Sequence, residues 1–267
     1  MYATLPEMQA RVKFKVFSLT KGQLYRIVNR HADEVFAYTP HTVQRLKKFA
    51  GPKGIRLLPL AFDETEFYPS SQLRRAVREE QGWEHNEFVI VAPGKVQVQK
   101  RFGTLVGSIN RLAQDGKKVR LLLVGLDDGD ASMALRKQIS TEQLDGMITA
   151  IPFANHARLN ALFNAADLGT WPAMPAITIQ QAMGTGLRVL IPDNDFVQHL
   201  VRDANTGRLF NPDMELGEQL VSLLGREYDD RLAHAGDRRR MARASGNEWL
   251  STANLARRLT ASDGVGT

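Results

Sequence analysis

Two spacings of apolar residues alternate along the chain. Phe88-Val-Ile-Val-Ala, Val119-Arg-Leu-Leu-Leu-Val and Val189-Leu-Ile are apolar at almost every position. Each run is too short for a helix and predicts a strand buried on both faces. Between and after them, Leu105, Ile109 and Leu112, and then Leu159, Leu162 and Phe163, recur at three to four residues, the spacing of an amphipathic helix. A helix from Ser132 to Gln143, a third short strand over Met147-Ile-Thr-Ala-Ile-Pro and a strand over Arg208-Leu-Phe continue the series. From Phe88 onward strand and helix alternate about five times, which predicts a parallel sheet covered by helices on both faces. No internal repeat interrupts the series.

The flanks are less regular. Leu24, Ile27 and Val28 mark a helical stripe within Lys21–Arg30. Asp33-Glu-Val-Phe-Ala-Tyr reads as a strand, Thr39 or Thr42 as the cap of a helix reaching Phe49, and Ile55-Arg-Leu-Leu-Pro as a second strand, together a β-α-β unit. Ser70 to Glu84 is polar and charge-rich and reads as a crossing between two domains. At the other end, helices are predicted from Met214 to Leu224, from about Asp229 onward and over Arg238–Leu259, the last carrying Trp249, before a glycine-rich tail.

One stretch concentrates the candidate chemistry. Leu168 to Pro192 reads as a strand end, a loop, a helix with Gln180, Gln181, Ala182 and Met183, a glycine stop at Gly184 and Gly186, and the strand Val189–Ile191. A helix start at the carboxyl end of such a sheet presents unpaired N–H groups suited to a phosphate. The loop Gly94-Lys-Val-Gln-Val-Gln-Lys-Arg follows a buried strand in the equivalent place, which makes Lys95 and Lys100 candidate anion contacts.

Composition narrows the chemistry. The 267 residues include no cysteine, which excludes disulfides, thiol nucleophiles and Cys-ligated zinc. A net charge of +6 favours anionic partners, although the clusters Lys47–Lys48, Arg74–Arg75 and Arg238–Arg240 read first as solvated surface. The six histidines show no metal-ligand spacing, and Leu126-Asp-Asp-Gly-Asp lacks the distal glutamate of a calcium loop, so it reads as a turn and helix cap. Gly-x-Ser-x-Gly, P-loop and Gly-x-Gly-x-x-Gly signatures are absent from the sequence. Neither a signal peptide nor a membrane span is indicated, and a cytoplasmic protein, peripheral to the inner membrane face, is the expectation.

Several landmarks occur in an order that resembles a known family. They are Ala32-Asp33 before a strand, Leu58-Pro-Leu-Ala-Phe-Asp63 with Phe67-Tyr-Pro69, Gly94-Lys95 through Lys100, Val124-Gly125, Ala165-Ala166-Asp167, Gln181-Ala-Met-Gly-Thr-Gly-Leu-Arg-Val and Asn205-Thr-Gly-Arg-Leu-Phe. Together they resemble retaining GT-B glycosyltransferases, family 4-like and group 1, over roughly residues 30–255. The resemblance implies an α/β, Rossmann-like doubly wound parallel sheet of GT-B type with a truncated or divergent N-terminal domain. Its domains would be a remnant of the N-terminal acceptor domain at 1–70, an interdomain linker at 71–85, a nucleotide-sugar-binding domain at 86–255 and a flexible tail at 256–267.

By the same resemblance, Gly94, Lys95, Lys100, Gly125, Pro175, Ala176, Ile177, Thr178 and Gln181 would bind a nucleotide-diphosphate sugar. Lys95 and Lys100 would act catalytically by stabilising the leaving diphosphate, with no cofactor and no metal. The family's two glutamates, eight positions apart, correspond to Ala173 and Gln181. A carboxylate that would steady a cationic transition state is thus missing at 173, while an amide at 181 can still bond a ribose hydroxyl. Three function readings stand at this point. The first is a hexosyltransferase-type enzyme acting on a glycan or lipid-linked acceptor with retention. The second is a non-catalytic nucleotide-sugar-binding subunit whose partner chain supplies the missing N-terminal domain. The third is a glycosyltransferase acting on modified nucleic acid.

Overall fold

A computed structural model describes residues 22–28, 30–49, 54–234 and 250–262. The chain divides into two compact units, Met1–Pro59 and Leu60–Thr267.

In the first unit, residues 22–28 are helical. Strand β1 (Phe36–Ala37), helix α1 (Pro40–Leu46) and strand β2 (Arg56–Leu57) form the expected β-α-β unit, with β1 and β2 parallel. Thr39 is the cap of α1, its hydroxyl accepting from Thr42 N at 3.0 Å, and Pro40 occupies the first turn, where its missing N–H costs nothing. Both strands are shorter than their apolar runs suggested, because the ladder lasts only two residues on each.

The second unit holds helix α2 (Ser71–Glu80), β3 (Phe88–Pro93), α3 (Phe102–Gln114), β4 (Val119–Val124), α4 (Asp130–Thr141), β5 (Ile148–Ile151), α5 (His156–Ala165), β6 (Leu168–Thr170), α6 (Thr178–Gly184), β7 (Arg188–Pro192), β8 (Gly207–Phe210), α7 (Leu216–His234) and α8 (Thr252–Ser262). Its six strands are all parallel in the order β5-β4-β3-β6-β7-β8, the doubly wound arrangement. Alternate residues of the central strands supply two cores. Val89, Val91, Leu122 and Val124 face one side with Leu162, Phe163, Ile179 and Met183, while Phe88, Ile90, Leu121 and Leu123 face the other with Leu105, Ile109, Leu220 and Leu224.

Three expectations are corrected. Residues 71–85 are not a free linker, because Ser71–Glu80 is a helix capped by Ser70, packed on α5, with Val77 and Arg78 buried. The boundary between units falls earlier, at Pro59 and Leu60. The Arg74–Arg75 cluster is not simply solvated surface: Arg74 donates to Ala165 O at 2.8 Å and to Asp167 Oδ1 at 2.7 Å. Arg78 joins it on Asp167 and also donates to the Glu84 and Glu87 carbonyls.

Two predicted helices near Met214–Leu224 and after Asp229 are one continuous helix, α7. A tail from 256 is replaced, up to Ser262, by helix α8. Before α8, the chain returns to the segment ahead of α2, with Phe62 N donating to Leu250 O at 2.9 Å and Thr252 N to Phe62 O at 3.1 Å. Trp249 and Arg238–Arg240 lie outside the described residues. Among the described residues no helix is long and apolar enough to cross a membrane.

Candidate functional site

The strand order reverses between β3 and β6, and open α/β sheets bind ligands outside the carboxyl ends of strands at such a point. Two groups of the sequence-predicted residues leave neighbouring strands there.

The first group follows β3. Gly94 N donates to Val124 O at 2.8 Å, which fastens the loop to the end of β4. Gly125, next after β4, has φ +108°, and a Cβ on it would stand 2.8 Å from Gly94 O. Only glycine allows the two backbones to approach this closely. The 3-10 turn Val98–Lys100 and the left-handed Arg101 (φ 56°) then reverse the chain. Lys100 is thereby folded back over Gly94, so that a methyl group on Gly94 would meet its Nζ at 2.9 Å.

The two lysines differ in environment. Lys95 is exposed and 3.5 Å from Asp127 Oδ2. Asp127 in turn accepts from Ser132 Oγ at 2.7 Å and Gly129 N at 3.1 Å, as the turn reading of Leu126–Asp130 expected. Those two bonds, with the Lys95 charge behind them, hold its carboxyl below the usual range. Lys100 is half-buried and has no carboxylate or hydrogen-bond partner among the described residues. Burial pushes its ammonium below the ordinary lysine value. Among the described residues it is a partly desolvated cation with no carboxylate paired to it.

The second group follows β6. Trp171 is buried, and a Cβ on Gly169 would lie 2.9 Å from its ring, so the strand needs glycine beneath the indole. Trp171 Nε1 donates to Thr178 Oγ1 at 2.9 Å, tying the loop to the first turn of α6. Ile177 and Thr178 keep their backbone N–H groups without acceptors among the described residues, whereas Pro175 has no N–H to offer and Ala176 O accepts from Ile179 N at 3.1 Å. Gln180, with its amide nitrogen turned to the acceptors, donates to Ala176 O and Ile177 O. Gln181 is 9% exposed and its carboxamide has no partner among the described residues. The helix ends through Gly186, which takes φ +74°.

Within each group the structure brings the predicted residues together; no hydrogen bond among the described residues joins one group to the other. Sequence reasoning missed the Trp171–Thr178 tie and the Lys95–Asp127 pair. The Trp-Pro loop was the available signal for the first, and an acid after the neighbouring strand for the second. Among the described residues no group of three or more His, Cys, Asp or Glu is placed to hold a metal ion.

Fold and site together define a doubly wound domain whose switch point carries Lys95, Lys100 and the start of α6. The sequence profile of glycosyl transferases group 1 matches residues 74–244, and the chain belongs to that family. Among curated proteins it is similar to the alpha-monoglucosyldiacylglycerol synthase of Acholeplasma laidlawii, 23% identical over 175 residues, which cover 64% of this chain and 42% of that protein. Among solved structures it is similar to HepE of Anabaena in complex with UDP-glucose (TM-score 0.72, 20% identity, covering 93% of this chain and 68% of that one). The sucrose-phosphate synthase of Thermosynechococcus elongatus gives a TM-score of 0.71 at 19% identity, covering 91% of this chain and 61% of that one. At these identities the likeness establishes the fold, and the chain spans less than half of its curated relative's length.

Proposed function

We propose that the chain is the donor-binding part of a glycosyltransferase that moves a hexosyl group from a nucleotide-diphosphate sugar to a glycan or lipid-linked acceptor with retention of configuration. The observation that carries this reading is Lys100, a half-buried ammonium at the switch point with no paired carboxylate among the described residues. A diphosphate would supply a negative charge, and Lys100 with Lys95 would neutralise it in place of a metal ion. The free amides of Ile177 and Thr178 would meet the phosphate oxygens, Gly94 and Gly125 would let the backbone come close, and the unpartnered Gln181 amide would bond a ribose hydroxyl. Catalysis would rest on stabilising the departing diphosphate. The complex of HepE with UDP-glucose supports UDP as the probe, and the name of the Acholeplasma relative supports the lipid-linked acceptor over the glycan.

Titration calorimetry with UDP tests the assignment. Lys100→Ala is expected to weaken binding roughly tenfold or more, the worth of a charge-assisted contact. Lys95→Ala should cost less, since Lys95 is exposed and already paired with Asp127. Unchanged affinity in Lys100→Ala would remove the diphosphate assignment.

Ala173 and Gln181, at positions where the resemblance leads one to expect carboxylates, favour a second reading, a binding subunit that does not turn over and whose partner chain completes the enzyme. Slow release of UDP from UDP-glucose by the purified chain would exclude it. A nucleic-acid acceptor is a third reading, for which only the overall positive charge speaks.

A further inference from the structure

A cavity of about 380 Å³ lies beside β8, the edge strand of the six-stranded sheet. Its walls are the carboxyl ends of β7 and β8, with Asp193, Leu209 and Phe210, and the stripe of α7 that carries Gln219, Leu223 and Arg226 at the i, i+4 and i+7 positions. These walls are fastened to one another. Asp193 N donates to Phe210 O at 2.7 Å, Asn211 N to Gln219 Oε1 at 2.9 Å, and Gln219 Nε2 back to Asn211 O at 2.8 Å. The cavity is therefore formed without a ligand to hold it open.

Two opposite charges line it without meeting. Asp193 and Arg226 are both exposed, and among the described residues neither side chain has an ion-pair or hydrogen-bond partner. Arg226 is left over because the acids of its own helix are taken: Glu218 pairs with Arg111, Glu227 with Arg188 and Arg208, Asp229 with Lys117 and Asp230 with Arg208. A simple anion drawn to Arg226 would meet the Asp193 carboxylate, and a simple cation drawn to Asp193 would meet the guanidinium. A ligand that carries both charges satisfies both groups.

We propose that this cavity is a binding site for a small zwitterion, an α-amino acid with an apolar side chain. Arg226 takes the carboxylate in a forked contact, for which a planar guanidinium is suited, and Asp193 takes the ammonium. Leu209, Phe210 and Leu223 also line the cavity, which favours an apolar side chain on the ligand. The site stands at the β7–β8 edge and uses none of the residues at the β3–β6 switch point. It is independent of the donor assignment, and its readout needs no nucleotide.

The test is equilibrium dialysis and saturation-transfer NMR of the full chain, without UDP, with L-leucine as the probe. A dissociation constant of about 1 mM or tighter is expected, the range open to so small a ligand. Leucinol, which lacks the carboxylate, and 4-methylpentanoic acid, which lacks the ammonium, should each bind roughly tenfold more weakly or worse. Glycine, without the apolar side chain, should bind severalfold more weakly than leucine. Asp193→Asn and Arg226→Gln should each lower leucine binding roughly tenfold or more. The leucinol and 4-methylpentanoic acid arms need no variant, so they keep the test decisive if a substitution disturbs folding. No binding at about 10 mM leucine, leucinol or 4-methylpentanoic acid binding as well as leucine, or unchanged leucine binding in either variant would each overturn the proposal.

Discussion

At the scale of single residues, the crevice is set by Gly125 and Lys100. Gly125→Ala would place a methyl group 2.8 Å from the Gly94 carbonyl at a φ of +108°. Backbone, not a pliable side chain, must then give way. A loss of about 1–3 kcal/mol in urea unfolding is expected, with weakened UDP binding, because the loop that holds Lys100 is displaced. Lys100 also predicts a pH profile. Burial lowers its pKa from 10.5, so the charged form opposes folding at neutral pH and the neutral form takes over below that value as pH rises. A bound diphosphate favours the charged form, so UDP affinity should fall as pH rises through the lowered pKa, earlier than for an exposed lysine. Calorimetry between neutral and alkaline pH checks this, and Lys100→Ala should flatten the profile. Gly94 and Lys100 were legible because they follow an unbroken buried strand. That Lys95 is paired and Lys100 is not was illegible, since Asp127 lies on another strand's loop and no local pattern reports a partner so distant in sequence.

At the scale of elements, strands with unbroken apolar runs were read with their neighbours and direction, because a parallel sheet buried on both faces leaves no polar positions to confuse the period. Polar helices were read poorly. The arginines of Ser71–Glu80 suggest a solvated crossing, yet Arg74 and Arg78, four residues apart on one face, converge on Asp167 and the carbonyls at the end of α5. Asp167 also accepts from Val89 N at 2.9 Å, so one carboxylate joins α2, β3 and the start of β6. Asp167→Ala would remove the carboxylate that both Arg74 and Arg78, the latter 5% exposed, meet. A loss of about 3 kcal/mol is expected in chemical denaturation, the usual cost of removing one member of a buried pair. If stability changed by less than about 1 kcal/mol, the range of a surface ion pair, α2 would be held by its apolar contacts and by the bonds of Arg74 and Arg78 to carbonyls, without need of the carboxylate.

At the scale of the whole molecule, the two units differ in what they bury. Both core clusters and the entire six-stranded sheet belong to residues after Pro59, whereas Ala37 is the buried hydrophobic residue among those described before it. The sequence hid this difference, because a β-α-β pattern looks alike whether its ladder is two residues long or six. With so little apolar burial among its described residues and so short a ladder, the first unit should open at lower free energy than the second. Its 11 Lys and Arg residues make trypsin a suitable probe. Brief digestion in the presence of UDP is expected to cut within residues 1–59 before it cuts the sheet or its covering helices, and mass spectrometry of the fragments would locate the cuts. Every residue assigned to the donor lies after β3, so the trimmed protein should bind UDP within about twofold of the intact chain. A trimmed protein that had lost UDP would place part of the donor site before Leu60, and the crevice at the β3–β6 switch point would then be incomplete by itself.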